Sequence, residues 1–388
     1  MRITNAILIL VASAIYVVFV LVGGRTSING GLGPDGSVFS AMAINHDVQA
    51  GSAVDKLTPA FPLAVAVAYS ITGNAVASFL LVNVIAFGVL TWAMCWILDG
   101  RPASVSLKVA GAITLVLLGI PSRTTSFAPG QPHLLATAAI LMAVAAAERS
   151  AGAFTALLGA AAVATSPVGI IAPLYGIWRH RRERVATLLA VFIPALVVWL
   201  LVQYWARGGP AGLVDLMRWS RVRADAAFWS ESAFILFGVY FLLTSLGGIT
   251  MLLVSSPRWI RTAVSREPEL LALIIPVLPF IATAGLDVPR TMAFLLPFWF
   301  VLFGVWERDH TGSFVVPLVL ATVLTLITQH PWVRLTDTNY FVDWLPYSVY
   351  AGRVNVADAG FDATWRLRMF IAAGGLAACA IWRRSASR

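Results

Sequence analysis

Charge is what this chain has least of. Asp, Glu, Lys and Arg make up 12% of its 388 residues, where a soluble domain carries roughly a quarter, so an ordinary soluble domain is excluded. Lysine is nearly missing as well: Lys56 and Lys108 stand alone, and the net charge of +9 is carried by arginine, the better planar fork for phosphate oxygens. The two cysteines, Cys95 and Cys379, both sit in apolar runs, which excludes a disulfide framework and a cysteine metal site. There is no Walker loop, dinucleotide fingerprint, serine nucleophile elbow or HExxH motif, which argues against an ATP-driven pump or a zinc protease. Nucleic acid is not among the expected partners.

What the chain does have is apolar length. Hydrophobic residues make up 59% and the mean hydropathy is +0.83. With spans of ~20 residues each, the expected fold is all-α: a single integral-membrane domain over 1–388 with about twelve transmembrane helices and interfacial helices on the outer face. The spans are expected near 6–22, 75–98, 104–120, 133–147, 151–164, 166–178, 186–205, 233–255, 270–285, 291–306, 313–328 and 367–382. The first apolar run reads as a signal peptide or a span; no small-x-small cleavage site precedes Gly23, so an uncleaved span is expected. Arginine placement then sets both termini in the cytoplasm. The arginine-rich, alanine-rich composition points to a bacterial inner (plasma) membrane, with the protein crossing it many times.

Two stretches test this layout. Ala60–Thr72 carries no charge but has only 13 residues, too few to cross ~30 Å at 1.5 Å per residue. Counting it as a span would also put the arginines at 179, 181, 182 and 184 outside, against the positive-inside bias. It is expected to be a helix at the outer surface. Residues 151–178 lie between basic residues and hold Ser166-Pro167 at their middle, which predicts two short helices entering and leaving on the cytoplasmic side, or else one long tilted span. The cytoplasmic connections read as short and plain, so chemistry is expected on the outer face. There, residues 23–74 form a large loop with interfacial helices and residues 329–366 an aromatic-rich one.

Asp35 lies in GLGPDGSVFSAMA. It has two readings: a cap for a helix starting near Ser37, or a general base that takes a proton from an acceptor hydroxyl. His46 and Asp47 are either surface polar residues or contributors to substrate or metal binding, although their spacing matches no recognised metal motif. No cofactor is certain from these residues, and a divalent metal stays open without being indicated. In PSRTTSFAPGQPHLL, Arg123, Gln131 and His133 come to the outer membrane boundary. Arg123 either snorkels or pairs with phosphate, and Gln131 either caps a helix or bonds sugar hydroxyls or phosphate. Arg290 in GLDVPRTMAF pairs with Asp287 or with a lipid phosphate. Arg221 sits with Arg218 and Arg223 in a surface amphipathic helix that contacts headgroups or an anionic lipid substrate. The aromatics of the last outer loop, Trp332, Tyr340, Phe341, Trp344, Tyr347 and Tyr350, form an interfacial belt or stack on sugars.

On these residues the chain resembles the polytopic glycosyltransferases of the GT-C fold, which use polyprenyl-phosphate-linked sugars. A first span followed by an outer loop with an acidic residue, here Asp35 in GPDGSVFSAMA, is similar to the family's position for the catalytic carboxylate. LTPAFPLAVAVAYSITGN resembles its proline-led surface helix, and VPRTMAFLLPFW its arginine-then-LP pattern. APGQPHLLATAAILMAVAAAERSAG and the segment that follows, through SPVGIIAPLYGIWRHRRER, resemble more narrowly the polyprenol-phosphate-mannose-dependent mannosyltransferases. The resemblance implies a transferase of the cell envelope moving a hexosyl, mannosyl or pentosyl group. Its donor would be a polyprenyl-phosphate-linked sugar, its acceptor a glycan or lipid on the outer face, and membrane lipids its surroundings. Asp35 would be the base, with Arg123 and Arg290 as phosphate partners. A lipid or glycolipid transporter, or flippase, is the alternative from another class.

Overall fold

A computed structural model describes residues 3–33, 35–47, 58–101, 103–118, 125–150, 152–206, 257–283 and 291–309, with single positions at 122, 322, 323, 325, 326, 374 and 377. Among the described residues every regular element is helical. Three of the described helices are long and apolar enough to cross a membrane: α1 (Ile3–Val22), α4 (Ala75–Asp99) and α9 (Val185–Ala206). They mark the chain as a membrane protein. The expected spans at 233–255, and nearly all of those at 313–328 and 367–382, lie outside the described residues, as does the loop 329–366.

The elements between these helices follow local signals. Helix α2 (Gly36–Ile44) and helix α3 (Ala60–Thr72) are short. Gly73 ends α3 at φ 62, and Asn74 then caps α4 by accepting from the Ala77 amide at 3.0 Å. The left-handed position suits glycine and the cap suits asparagine, so the two helices meet at a tight corner. Helices α2 and α3 pack on the first turns of α4 through a separate small core, in which Phe61 meets Phe39 edge-on at 5.3 Å and Phe79 at 5.6 Å. The helix expected over residues 60–72 is present with those bounds.

Helices α5 (Val105–Leu117), α6 (His133–Ala147) and α7 (Ala153–Thr165) have 13, 15 and 13 residues. At 1.5 Å per residue they run only about 20 Å, less than a bilayer core, so 104–120 and 151–164 do not form full-length spans. Helix α6 is buried nearly all round and is the centre about which α4 and α7 pack. Helix α7 stops at Ser166, whose extended backbone and side chain, accepting from the Val168 amide at 3.3 Å, start a tight turn at Pro167–Ile170. The chain continues as α8 (Ile171–Arg179). Because Glu148, before α7, lies 3.9 Å from Arg179, at the end of α8, and His180 Nε2 donates to the Ala147 carbonyl at 2.6 Å, the excursion returns to where it began. The hairpin reading of 151–178 is the one the fold adopts.

After α9 the described chain resumes with amphipathic α10 (Pro257–Arg266), then α11 (Leu271–Ile274), α12 (Leu278–Thr283) and α13 (Leu296–Asp309). Trp259 of α10 packs edge-on against Trp306 of α13 at 4.5 Å.

One end of the bundle gathers the ends of these helices around a buried ion network, contrary to the expectation of plain connections. Arg101, just past α4, grips Glu148 with two nitrogens at 3.2 and 3.1 Å and gives a third to Glu267 at 2.8 Å. Arg308 holds the other Glu267 oxygen at 2.9 Å, Tyr175 donates to Glu148, and Glu269 takes Arg179 at 3.0 Å and Arg181 at 3.3 Å. Glu307 accepts from the Ser104 amide at 2.8 Å, and Lys108 pairs with Asp99 beside Asn5. Gly304 makes room: a Cβ there would stand 2.4 Å from the Arg101 Cδ.

Burial alone would pull the Arg101 guanidinium down; the negative charges of Glu148 and Glu267 outweigh it and hold its pKa above the ordinary arginine range. For Glu267 burial pushes up, and Arg101 with Arg308 brings the carboxyl below its usual range. A buried charge that loses its partner costs about 3–5 kcal/mol. Arg101→Gln is therefore expected to lower the thermal midpoint of the detergent-purified protein sharply, whereas Arg181→Gln, at an exposed pair, shifts it by no more than about 1 kcal/mol. Because the Glu267 pKa is lower folded than unfolded, its contribution is complete above the ordinary glutamate pKa and is lost as pH falls through the folded value. The midpoint is expected to drop on acidification below about pH 5, with a shallower slope in Glu267→Gln.

Candidate functional site

At the opposite end of the bundle, two loops that are distant in sequence are fastened together. Residues 125–131 do not form a surface turn. They dip into the bundle, with Thr125, Ser126, Phe127 and Ala128 all buried. Buried polar groups need partners, and α1 and α4 supply them: Tyr16, stacked on Phe87 at 4.7 Å, shares a hydrogen bond with Thr125 Oγ1 at 2.9 Å. Asn83 Nδ2 donates to the Pro129 carbonyl at 2.9 Å and to the Thr125 carbonyl at 3.4 Å. Asn83, a lone amide within an apolar helix, is a residue the sequence reading passed over. Its polarity in that run was the available signal.

The loop that follows α1 packs on this buried segment. The Thr26 amide donates to the Phe127 carbonyl at 3.2 Å and the Gly130 amide to the Leu32 carbonyl at 2.8 Å. Two glycines permit the approach. Gly33, at φ +93, leaves a space where a Cβ would strike the Ala128 Cβ at 2.7 Å, and a Cβ on Gly130 would meet the Gly36 Cα at 2.5 Å. Asp35 directly precedes Gly36 and Gln131 directly follows Gly130, so the fold sets these two candidate residues on touching backbones.

Their local roles differ from the structural readings expected of them. Asp35 occupies the N-cap position of α2 but makes no side-chain cap bond, so the carboxylate is not tied to the helix terminus. Gln131 does not cap α6; that position belongs to Pro132. Gln131 is 2% exposed, because its loop is drawn inward by Asn83 and Tyr16. His133, the first residue of α6, lies parallel to Phe294 with ring centres 6.3 Å apart, which brings the segment after residue 290 to the same neighbourhood.

His46 and Asp47 are not part of this neighbourhood. They sit beyond the C-terminus of α2, about 14 Å of helix axis from Asp35. Arg123, Arg221 and Arg290 lie outside the described residues, as does Asp287. Among the described residues no group of three or more His, Cys, Asp or Glu is placed to hold a metal ion.

Chemically, this end of the molecule offers the carboxylate of Asp35 and the amide of Gln131 on loops in close backbone contact at Gly36 and Gly130, and the imidazole of His133 at the helix start that follows. Such an arrangement can accept a proton at one point and bind hydroxyl or phosphate oxygens at the others. Gly130→Ala is expected to force the two loops apart at a cost of about 1–3 kcal/mol. Gly30→Ala, which adds its methyl to open space at φ +65, bears only the backbone strain. Thermal unfolding of the two variants in detergent measures the difference. No family model matches the chain, nor does any curated protein or any solved structure.

Proposed function

We propose that this chain is an integral-membrane glycosyltransferase of the GT-C type, moving a sugar from a polyprenyl phosphate carrier to a glycan or lipid acceptor on the outer face of a bacterial inner membrane. In this reading the chain crosses the bilayer several times and both termini are cytoplasmic. The ion network lies on the cytoplasmic side, and the loops carrying Asp35 and Gln131 lie on the outer side. Ends of seven segments meet in the network: α1, α4, α5, α6, α8, the link between α10 and α11, and α13. That gathering supports this parity.

The observation that carries the reading is the placement of Asp35: it stands at the start of α2, on a backbone packed against the Gln131 loop through Gly36 and Gly130. A residue held this way keeps its position when a substrate arrives, which is the condition for efficient proton transfer. Asp35 takes the proton of the acceptor hydroxyl as that oxygen attacks the sugar carbon. The bond from that carbon to the carrier phosphate breaks on the opposite side, so configuration inverts. Negative charge grows on the departing phosphate, and Arg123 and Arg290 stabilise it. Gln131 and His133 hold the sugar or its phosphate.

The hairpin of α7 and α8 favours a second reading. Two short helices meeting at a Ser-Pro break resemble the discontinuous elements of transporters, and in that case intact lipid crosses the bilayer with no new glycosidic bond.

One assay separates the two. Purified protein in nanodiscs, offered radiolabelled polyprenyl-phosphate sugars with a membrane-extract acceptor, is expected to form labelled product. Asp35→Asn is expected to lose about 10²–10⁴-fold in rate while still binding donor and staying folded, since asparagine has nearly the same shape and suits a helix N-cap equally well. Full turnover in Asp35→Asn would remove Asp35 as the base; labelled lipid crossing the bilayer without transfer would establish the transporter.

A further inference from the structure

Between α2, α3 and the last turns of α9 lies a cavity of about 410 Å³, within the roughly 300–1,000 Å³ range of small-molecule sites. Met42, Pro62, Leu63, Ala66 and Trp205 are among its walls, and His46 is the one lining residue that is not apolar. The walls continue onto exposed apolar surface. On α3 that surface holds Leu63, Val67 and Ile71; on α9 it holds Leu200, Leu201 and Trp205. Only 11% of the most apolar stretch of α9 is buried inside the protein, so these faces meet lipid. A cleft that opens onto hydrocarbon and offers water almost no polar partner takes up hydrocarbon.

His46 makes this more than a gap between helices. The amides of Asn45 and Asp47 both return to the Ala41 carbonyl at 3.1 Å, closing α2 with His46 in the left-handed conformation at φ 56. Glycine is the favoured residue there, and a side chain costs of order 1 kcal/mol. The chain therefore keeps an imidazole at the mouth of an apolar groove, on a backbone that would be more stable with no side chain. An imidazole N–H at that mouth is a donor for a phosphate oxygen.

We propose that this groove seats the hydrocarbon chain of a single-chain lipid phosphate, with His46 donating to the phosphate at its mouth, as a holding site distinct from the place of transfer. The separation settles the last point: about 14 Å of helix axis between Asp35 and His46 is too far for the phosphate at His46 to be the one leaving the reacting sugar. The inference rests on the lipid-carrier reading, because the product of that transfer is a bare lipid phosphate that must return to the bilayer. The groove, open sideways between an interfacial helix and a membrane-crossing one, is a route for it.

Native mass spectrometry of the full chain in detergent, with farnesyl phosphate as the probe, tests this. Farnesyl phosphate is expected to bind at least tenfold better than farnesol and to be retained against phosphatidylglycerol. His46→Gly is expected to lose about tenfold in farnesyl phosphate affinity, the worth of one charge-assisted hydrogen bond, while its melting temperature holds or rises. His46→Arg is expected to keep the affinity. Ala66→Trp and Val202→Trp, which fill the groove from opposite walls, are each expected to abolish binding, and either one that melts like the wild type suffices. Unchanged affinity in His46→Gly or in a folded groove-filling variant overturns the site, and so does displacement by phosphatidylglycerol, which would make the occupant a bulk phospholipid. Asp35→Asn is expected to bind farnesyl phosphate like the wild type, so failure of the transfer assay and failure of this site are read separately.

Discussion

The guanidinium of Arg101 is the contact on which the arrangement of this bundle depends. It reaches two carboxylates at once, Glu148 at the end of α6 and Glu267 ahead of α11, and it lies across the backbone of α13 at Gly304. Helices in a membrane gain little from burying apolar surface against one another, since lipid tails offer similar contacts. What distinguishes one packing from another is close approach of backbones and satisfaction of polar groups. A desolvated arginine with two carboxylate partners supplies the second and, through Gly304, demands the first. Each neighbouring charge then finds a place around it: Arg308 on Glu267, Tyr175 on Glu148, and Arg179 and Arg181 on Glu269.

The other end of the molecule is organised by different means. Hydrogen bonds between neutral groups and three glycines replace the ion pairs. Tyr16 and Asn83 draw residues 125–131 inward, and Gly33, Gly36 and Gly130 let the loop after α1 settle on them. The contrast has a functional sense. An end held by interlocked charges is stiff because separating it exposes several unpaired ions, which suits an anchor. An end built from close backbone contact fixes the position of Asp35 and Gln131 through their neighbouring glycines.

Between these ends the short helices give the fold its particular shape. The pair α7 and α8 leaves the ion network and returns to it, and α5 stops short, so the segment behind it folds back into the bundle. The surface helices α2 and α3 are fastened to α4 by their own aromatic core, which leaves their far side against α9 separated by a groove. One short helix, α2, thereby connects a carboxylate at its start with an imidazole at its end.

Much of this was legible in the sequence where the determining forces are local. Ala60–Thr72 and His133–Ala147 were expected with the boundaries they have, because Gly73-Asn74 and Pro132 punctuate the chain through backbone sterics that act over a few residues. The break at Ser166-Pro167 was readable for the same reason, and the long apolar runs identified α1, α4 and α9 by composition alone. The placement of Gln131 was not readable, since a glutamine between Gly and Pro looks like surface until Asn83 and Tyr16, from two other helices, pull its loop inward. Nor was the network: Arg101 is 47 residues from Glu148 and 166 from Glu267, and nothing local to any of them names the others. The candidate carboxylate Asp35 was visible as a residue type in a glycine-rich turn, while its failure to cap α2 depends on how that turn is clamped. Local sterics and hydrophobicity are properties of a segment, and the sequence alone determined what they govern. Pairing of charges and the approach of backbones belong to segments that meet only in three dimensions, and only the tertiary structure decided them.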